Sequence, residues 1–224
     1  MAAMTSSPPP AAGIVTVHLL RHGEVHNPAG VLYGRLPGFG LSELGERQAR
    51  AAADWLAGRD LAHLVASPLQ RAQQTAAPLA EATGLDIATD ERLIEAANVF
   101  EGRPVAGGSG LLRDPRMFRY FLNPLRPSWG EPYAEIAARV LAAAGAARDA
   151  ARAAGGYEAA CVSHQLPIVC AARRATGQRL AHDPRKRRCS LASVTSLVYD
   201  GDVVVGVDYH EPAADLPAGH GAGA

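Results

Sequence analysis

Residues 13–24 read Gly13-Ile14-Val15-Thr16-Val17-His18-Leu19-Leu20-Arg21-His22-Gly23-Glu24. Ile14–Leu20 is an apolar, β-branched run bounded by a glycine and an arginine, the pattern of a buried strand. Such a strand ends by delivering Arg21, His22, Gly23 and Glu24 to one edge of a sheet.

Working outward, strand-like and helix-like stretches alternate. Ser42 is placed to cap a helix in which Leu44, Gln48, Ala52, Trp55 and Leu56 recur at helical spacing, and Gly58 ends it. Leu61–Ala66 reads as a second strand. Ser67-Pro68 reads as the cap and first turn of a helix that runs to Thr83, stops at Gly84 and is kinked by Pro78. A short strand near Asp86–Ala88 follows. Pro132–Ala154 is a long Ala-rich helix with Ile136, Val140, Ala144 and Ala147 on one face. Ala159–Ser163 is a third core strand and Leu166–Thr176 another helix. Leu191–Tyr199 and Val203–Tyr209, joined by Asp200-Gly201-Asp202, read as a hairpin.

Strands separated by helices imply an α/β fold. The expected architecture is a three-layer sandwich, a mostly parallel central sheet with helices on both faces. Residues 96–130 are rich in Gly, Pro and Arg and read as a small cap insert, partly helical around 115–122. The expected organisation is a disordered tail over 1–12, one α/β domain over 13–211 and a second disordered tail over 212–224.

Ligands of open parallel sheets bind outside the carboxyl ends of the strands. The first strand places Arg21-His22-Gly23-Glu24 there. The second is followed by Ser67 and, one turn on, by Arg71. The third is followed by Ser163-His164. Two histidines and two arginines at one edge suit a phosphoryl group. Its equatorial oxygens spread negative charge, which guanidinium forks and helix N-termini answer. An imidazole nitrogen left unprotonated can attack phosphorus, and nearby arginines favour that state. Gly23 would let the backbone approach the ligand.

These residues resemble the signature of the histidine phosphatase superfamily, also called phosphoglycerate mutase-like. The resemblance rests on Leu19-Leu20-Arg21-His22-Gly23-Glu24, Leu41-Ser42-Glu43-Leu44-Gly45 and Ala66-Ser67-Pro68-Leu69-Gln70-Arg71-Ala72-Gln73-Gln74-Thr75-Ala76. It continues in Leu93-Ile94-Glu95, Gly130-Glu131 and Val162-Ser163-His164. It implies that His22 is the nucleophile and forms a phosphohistidine. Arg21, Arg71 and His164 would hold the phosphoryl oxygens, and Glu95 would protonate the leaving oxygen. That last role needs a raised pKa from partial burial. The stretch from Glu95 to the next Glu-Gly is one residue shorter than the family spacing. Gln165 stands where relatives commonly carry glycine, and its larger side chain is expected either to narrow the pocket or to donate a hydrogen bond to substrate. Asn27 is a candidate phosphate ligand, displaced by one position from the family's asparagine. Arg35 is read as either a substrate contact at the pocket mouth or a surface residue.

The resemblance therefore implies a phosphatase acting on a small phosphorylated substrate, with neither metal nor other cofactor. The short segment between Glu95 and His164 favours water as acceptor. Two alternatives stay open, a phosphomutase of the same family and a non-catalytic phospho-ligand binder. His26, four residues after His22, suggests a metal pair, but Pro28 and Gly30 argue against a helix there.

Composition excludes several classes. Apolar residues make up 48% of the 224 and charged residues 20%, as in a globular protein. Lys plus Arg equals Asp plus Glu at 22 each, so overall charge gives no case for nucleic acid or an anionic membrane. The cluster Arg185-Lys186-Arg187-Arg188 reads as a solvated loop, with contact to a phosphate-rich ligand as the sharper alternative. Three cysteines without C-x-x-C spacing read as buried thiols in a reducing compartment. No leader pattern or spanning apolar run is present, so a cytoplasmic location is expected. No feature of the sequence fixes an oligomeric state.

Overall fold

The computed structural model describes residues 13–104 and 130–217; the helical turn expected around 115–122 lies outside them. Among the described residues, six strands form one sheet and four α-helices cover it. β1 (Ile14–Arg21), β2 (Leu61–Ala66), β3 (Ile87–Thr89) and β4 (Glu158–Ser163) are mutually parallel. β5 (Val194–Asp200) and β6 (Val203–His210) close the sheet as an antiparallel hairpin. The strand order is β3-β2-β4-β1-β5-β6, so the sheet is mostly parallel, as expected. The first strand sits near its centre.

The helices are α1 (Glu43–Ala57), α2 (Gln70–Thr83), α3 (Tyr133–Ala153) and α4 (Gln165–Ala175). They divide into two layers. Leu56 of α1 and Leu79 of α2 join Leu20, Leu64 and Val162 in one apolar cluster. Ile136, Val140 and Ala144 of α3 and Ile168 of α4 join Val17, Leu19 and Leu197 in another. β1 therefore buries side chains on both faces, which is why its sequence is an unbroken apolar run rather than an alternation. Each fully buried leucine contributes roughly 1.5–3 kcal/mol relative to exposure. No helix among the described residues is long and apolar enough to cross a membrane. Cys161, Cys170 and Cys189 are buried free thiols.

Local rules set most boundaries. Ser42 caps α1, its hydroxyl accepting from the Gly45 N–H at 3.0 Å. Gly84 ends α2 in the left-handed region at φ 72°. Two boundaries differ from expectation for a visible reason. α2 starts at Gln70 rather than at Ser67-Pro68, because the backbone is still extended at Leu69 (ψ 135°), which stands at the N-cap. β5 starts at Val194 rather than Leu191, because Ala192 sits at φ 54° in a tight turn that cannot continue a strand. α2 contains Pro78 and is continuous from Gln70 to Thr83. Residues 212–215, read as the start of a disordered tail, form turns, and Ala213 packs against the first cluster.

Candidate active site

Strand register brings the site together. Arg21 lies opposite Ser163 on neighbouring parallel strands, and Ala66 opposite Val162. The residues just beyond these ends are His22, His164 and Ser67, so three distant segments are delivered side by side. Two backbone bonds fix the junction: His22 N–H donates to Ser163 O at 3.1 Å and Ser67 N–H to Val162 O at 2.9 Å. The His22 and His164 rings lie 5.1 Å apart, centroid to centroid.

Each histidine is held at one ring nitrogen, and for His22 that contact fixes the proton. Nδ1 of His22 lies 2.8 Å from the Gly23 carbonyl, which can only accept. Nδ1 therefore carries the proton, and Nε2 holds a free lone pair. Burial, then the charges of Arg71 and Arg21, hold its pKa well below the usual histidine range. Nε2 of His164 pairs with the Ser67 hydroxyl at 2.8 Å, leaving Nδ1. Its pKa is lowered well below the usual range by burial, Arg71 and His22.

The arginines are fixed at one nitrogen and open at others. Arg21 Nη1 donates to Cys189 O at 2.7 Å, and Arg71 Nη2 to Gly34 O at 2.7 Å. The Arg71 guanidinium also lies 4.8 Å over the Tyr33 ring. Glu95 is 3% exposed. Its Oε1 accepts from the Ala96 N–H at 2.8 Å. Burial raises its pKa, against the opposing pull of that N–H and of Arg71 and Arg21.

One pattern marks these groups as a binding site. Seven buried side-chain nitrogens and oxygens among the described residues lack a hydrogen-bond partner. Six belong to these five residues: Arg21 Nε and Nη2, His22 Nε2, Arg71 Nε, Glu95 Oε2 and His164 Nδ1. An unsatisfied buried polar group costs about 1–3 kcal/mol, more when charged. A fold that concentrates this cost in one place leaves six polar atoms together that a bound polar ligand could satisfy.

Other expected site residues are placed differently. Gly23 has its N–H taken by Thr75 Oγ1 at 3.1 Å. Its missing side chain serves packing, because a Cβ there would run into the Gly45 carbonyl of α1. Asn27 spans its own loop, bonding the Val31 carbonyl at 2.8 Å and the Val31 N–H at 3.2 Å. Arg35 donates to the Glu95 carbonyl at 2.7 Å and to Glu131 at 3.1 Å. Gln165 opens α4 and faces a cavity of about 320 Å³ that also touches Arg21 and Arg187. His26 sits in a loop, its N–H bonded to Gly40 O. Among the described residues no group of three His, Cys, Asp or Glu is arranged to hold a metal ion.

Sequence reasoning missed Ser67 as the partner of His164 and read it as a cap. It also missed that the basic cluster is split. Arg185 and Lys186 are exposed, whereas Arg187 turns inward to Gln165 and His182. Arg187 lines both the Arg21 cavity and a smaller one of about 110 Å³ beside Glu95.

Comparison with known proteins identifies the family. The sequence pattern of the Histidine phosphatase superfamily (branch 1) matches residues 17–211. An uncharacterized protein of Mycobacterium tuberculosis, Rv0525, is 59% identical over 199 residues, covering 88% of this chain and 96% of that protein. GpmB of Yersinia pestis, described as a probable phosphoglycerate mutase, is 32% identical over 190 residues, covering 81% and 85%. The structure of mycobacterial glucosyl-3-phosphoglycerate phosphatase Rv2419c superposes with a TM-score of 0.69 at 26% identity, covering 92% of this chain and all of that one.

Proposed function

We propose, for a chain that belongs to the histidine phosphatase superfamily, that it hydrolyses phosphate monoesters through a phosphohistidine on His22. The observation that carries this reading is the lone pair on His22 Nε2, buried and facing no partner, with its Nδ1 proton held on Gly23 O.

In the first step Nε2 attacks phosphorus and the ester P–O bond breaks. The Glu95 carboxyl gives its proton to the departing oxygen, releasing an alcohol. Arg21, Arg71 and His164 Nδ1 donate to the equatorial oxygens, where charge develops. In the second step water attacks the phosphohistidine and Glu95, now a carboxylate, takes the proton of that water. The P–N bond breaks, and inorganic phosphate leaves with Glu95 reprotonated. Burial, which raises the Glu95 pKa, supports the acid role, since an ordinary carboxylate would be ionised at neutral pH. No metal is needed by this scheme, because the arginines supply the charge.

The likeness to GpmB favours a second reading, in which the phosphohistidine passes its phosphoryl group to another hydroxyl. Hydrolysis of an activated aryl phosphate with chelator present tests the first reading. Chelator-resistant turnover that vanishes in His22→Ala is the expected result. Absence of turnover from pH 5 to 8, with transfer to an added hydroxy acid, would favour the mutase.

A further inference from the structure

The block Gly130-Glu131 touches none of the phosphoryl-holding groups, yet it is bound to the segment that carries Glu95. Gly130 bridges Asn98, and Glu131 N–H donates to Ala97 O at 3.2 Å. A Cβ at Gly130 would come within 2.6 Å of that carbonyl, so only glycine permits the approach. The Glu131 carboxylate then joins two arginines. Its Oε1 accepts from Arg139 Nε at 2.7 Å, and its Oε2 from Arg139 Nη2 at 2.9 Å and Arg35 Nη2 at 3.1 Å.

Each arginine spends another nitrogen on the chain before Glu95 or at it. Arg139 Nη1 donates to Arg92 O at 2.6 Å and Ile94 O at 2.7 Å, and Arg35 Nε to Glu95 O at 2.7 Å. Ser163 Oγ takes the remaining carbonyl, Leu93 O, at 2.7 Å. Four successive carbonyls, 92 to 95, are thus held by side chains from three other parts of the fold. The Glu95 side chain itself has one tie, to Ala96 N–H, and its Oε2 has none. Its aim is therefore set by the backbone that these donors hold.

We infer that Glu131, acting through Arg139 and Arg35, is a positioning residue for the Glu95 acid. The inference rests on the phosphatase reading of Glu95. A bidentate Arg–carboxylate pair fixes orientation as well as position, and a 1 Å misplacement of a reacting group costs on the order of 10²-fold in rate.

The test uses the full chain, an alkyl phosphate and an activated aryl phosphate, with native protein and His22→Ala as references. Glu131→Gln keeps the shape but loses the charge and one acceptor. It is expected to lower kcat on the alkyl ester by about tenfold or more with KM little changed, and on the aryl ester by under about threefold. Arg139→Lys is expected to show the same asymmetry and carries the test if Glu131→Gln does not fold. In a Glu95→Gln background, Glu131→Gln is expected to add under about twofold, because the acid it positions is gone. Equal losses on both esters, no loss on either, or full additivity with Glu95→Gln would overturn the inference while leaving the His22 reading intact. Absent turnover by native protein, or turnover kept in His22→Ala, would remove the reading and the inference with it.

Discussion

The Ser67 hydroxyl and His164 Nε2 are 2.8 Å apart, although the two residues are separated by 97 positions and follow different strands. The proposed function needs Ser67 Oγ–H to donate to Nε2, which puts the His164 proton on Nδ1, an atom with no hydrogen-bond partner among the described residues. Ser67→Ala should leave the tautomer unfixed. A single such hydrogen bond is worth about 0.5–1.5 kcal/mol, so kcat/KM should fall roughly three- to tenfold with the fold retained. Steady-state kinetics would check this; unchanged kinetics would show that Ser67 does not set the His164 tautomer.

Glu95 couples activity to stability. Its folded pKa is raised by burial above that of an unfolded glutamate. The sign follows: the group favours folding below its unfolded pKa and opposes it as pH rises through the folded value. Glu95→Gln should therefore raise the melting temperature relative to native protein at pH 7–8, with the gain vanishing near pH 4. Activity on alkyl esters should fall about 10²- to 10⁴-fold. Thermal melts of both proteins across that range would decide, and a variant less stable at pH 8 would contradict the account.

Three buried histidines should make the fold sensitive to acid. The pKa values of His18, His22 and His164 all lie below the ordinary value, with burial as the first cause in each. The unfolded chain therefore binds protons that the fold refuses. Stability from these groups is present above about pH 6.5 and is lost as pH falls below it. His18, bonded to Ser196 and Glu158 at 2.8 Å each, lies outside the proposed site and isolates the effect. Urea midpoints measured from pH 7 to 5 should drop in native protein and drop less steeply in His18→Gln. Parallel slopes would assign the acid sensitivity elsewhere.

The contact between Gly23 and Gly45 locks the loop after β1 to α1. A Cβ at Gly45 would strike the Glu24 carbonyl, and one at Gly23 the Gly45 carbonyl. Gly45→Ala should destabilise the fold by about 1–3 kcal/mol and lower turnover, because the backbone must move. Denaturation midpoints and kinetics together would show it; a neutral substitution would mean that the loop is looser than its packing implies.

Much of this arrangement was legible in the sequence because it depends on short-range rules. The apolar run Ile14–Leu20 predicts β1, and strand-end placement alone brings His22, Arg71 and His164 to one edge. Glycine and serine punctuation marks α1 well. What was not legible is long-range. Arg35, Glu131 and Arg139 meet only after folding, so nothing local marks the grip on the Glu95 segment. Asn27 and Ser67 each had more than one use for a polar group, and tertiary context decided: Asn27 closes its own loop, and Ser67 meets His164 while Leu69 stands at the N-cap of α2. Arg187 was hidden inside a basic run because the turn that aims it inward, Pro184–Lys186, carries no periodic signal.

The proposed intermediate is a covalent bond between His22 Nε2 and phosphorus. The most direct measurement is to mix the protein with a phosphate-labelled ester, quench in alkali during turnover and map the labelled peptide. The account predicts an alkali-stable, acid-labile label on His22 that forms and decays at rates consistent with kcat and is absent in His22→Ala. Steady turnover without label on His22, or label on another residue, would contradict it.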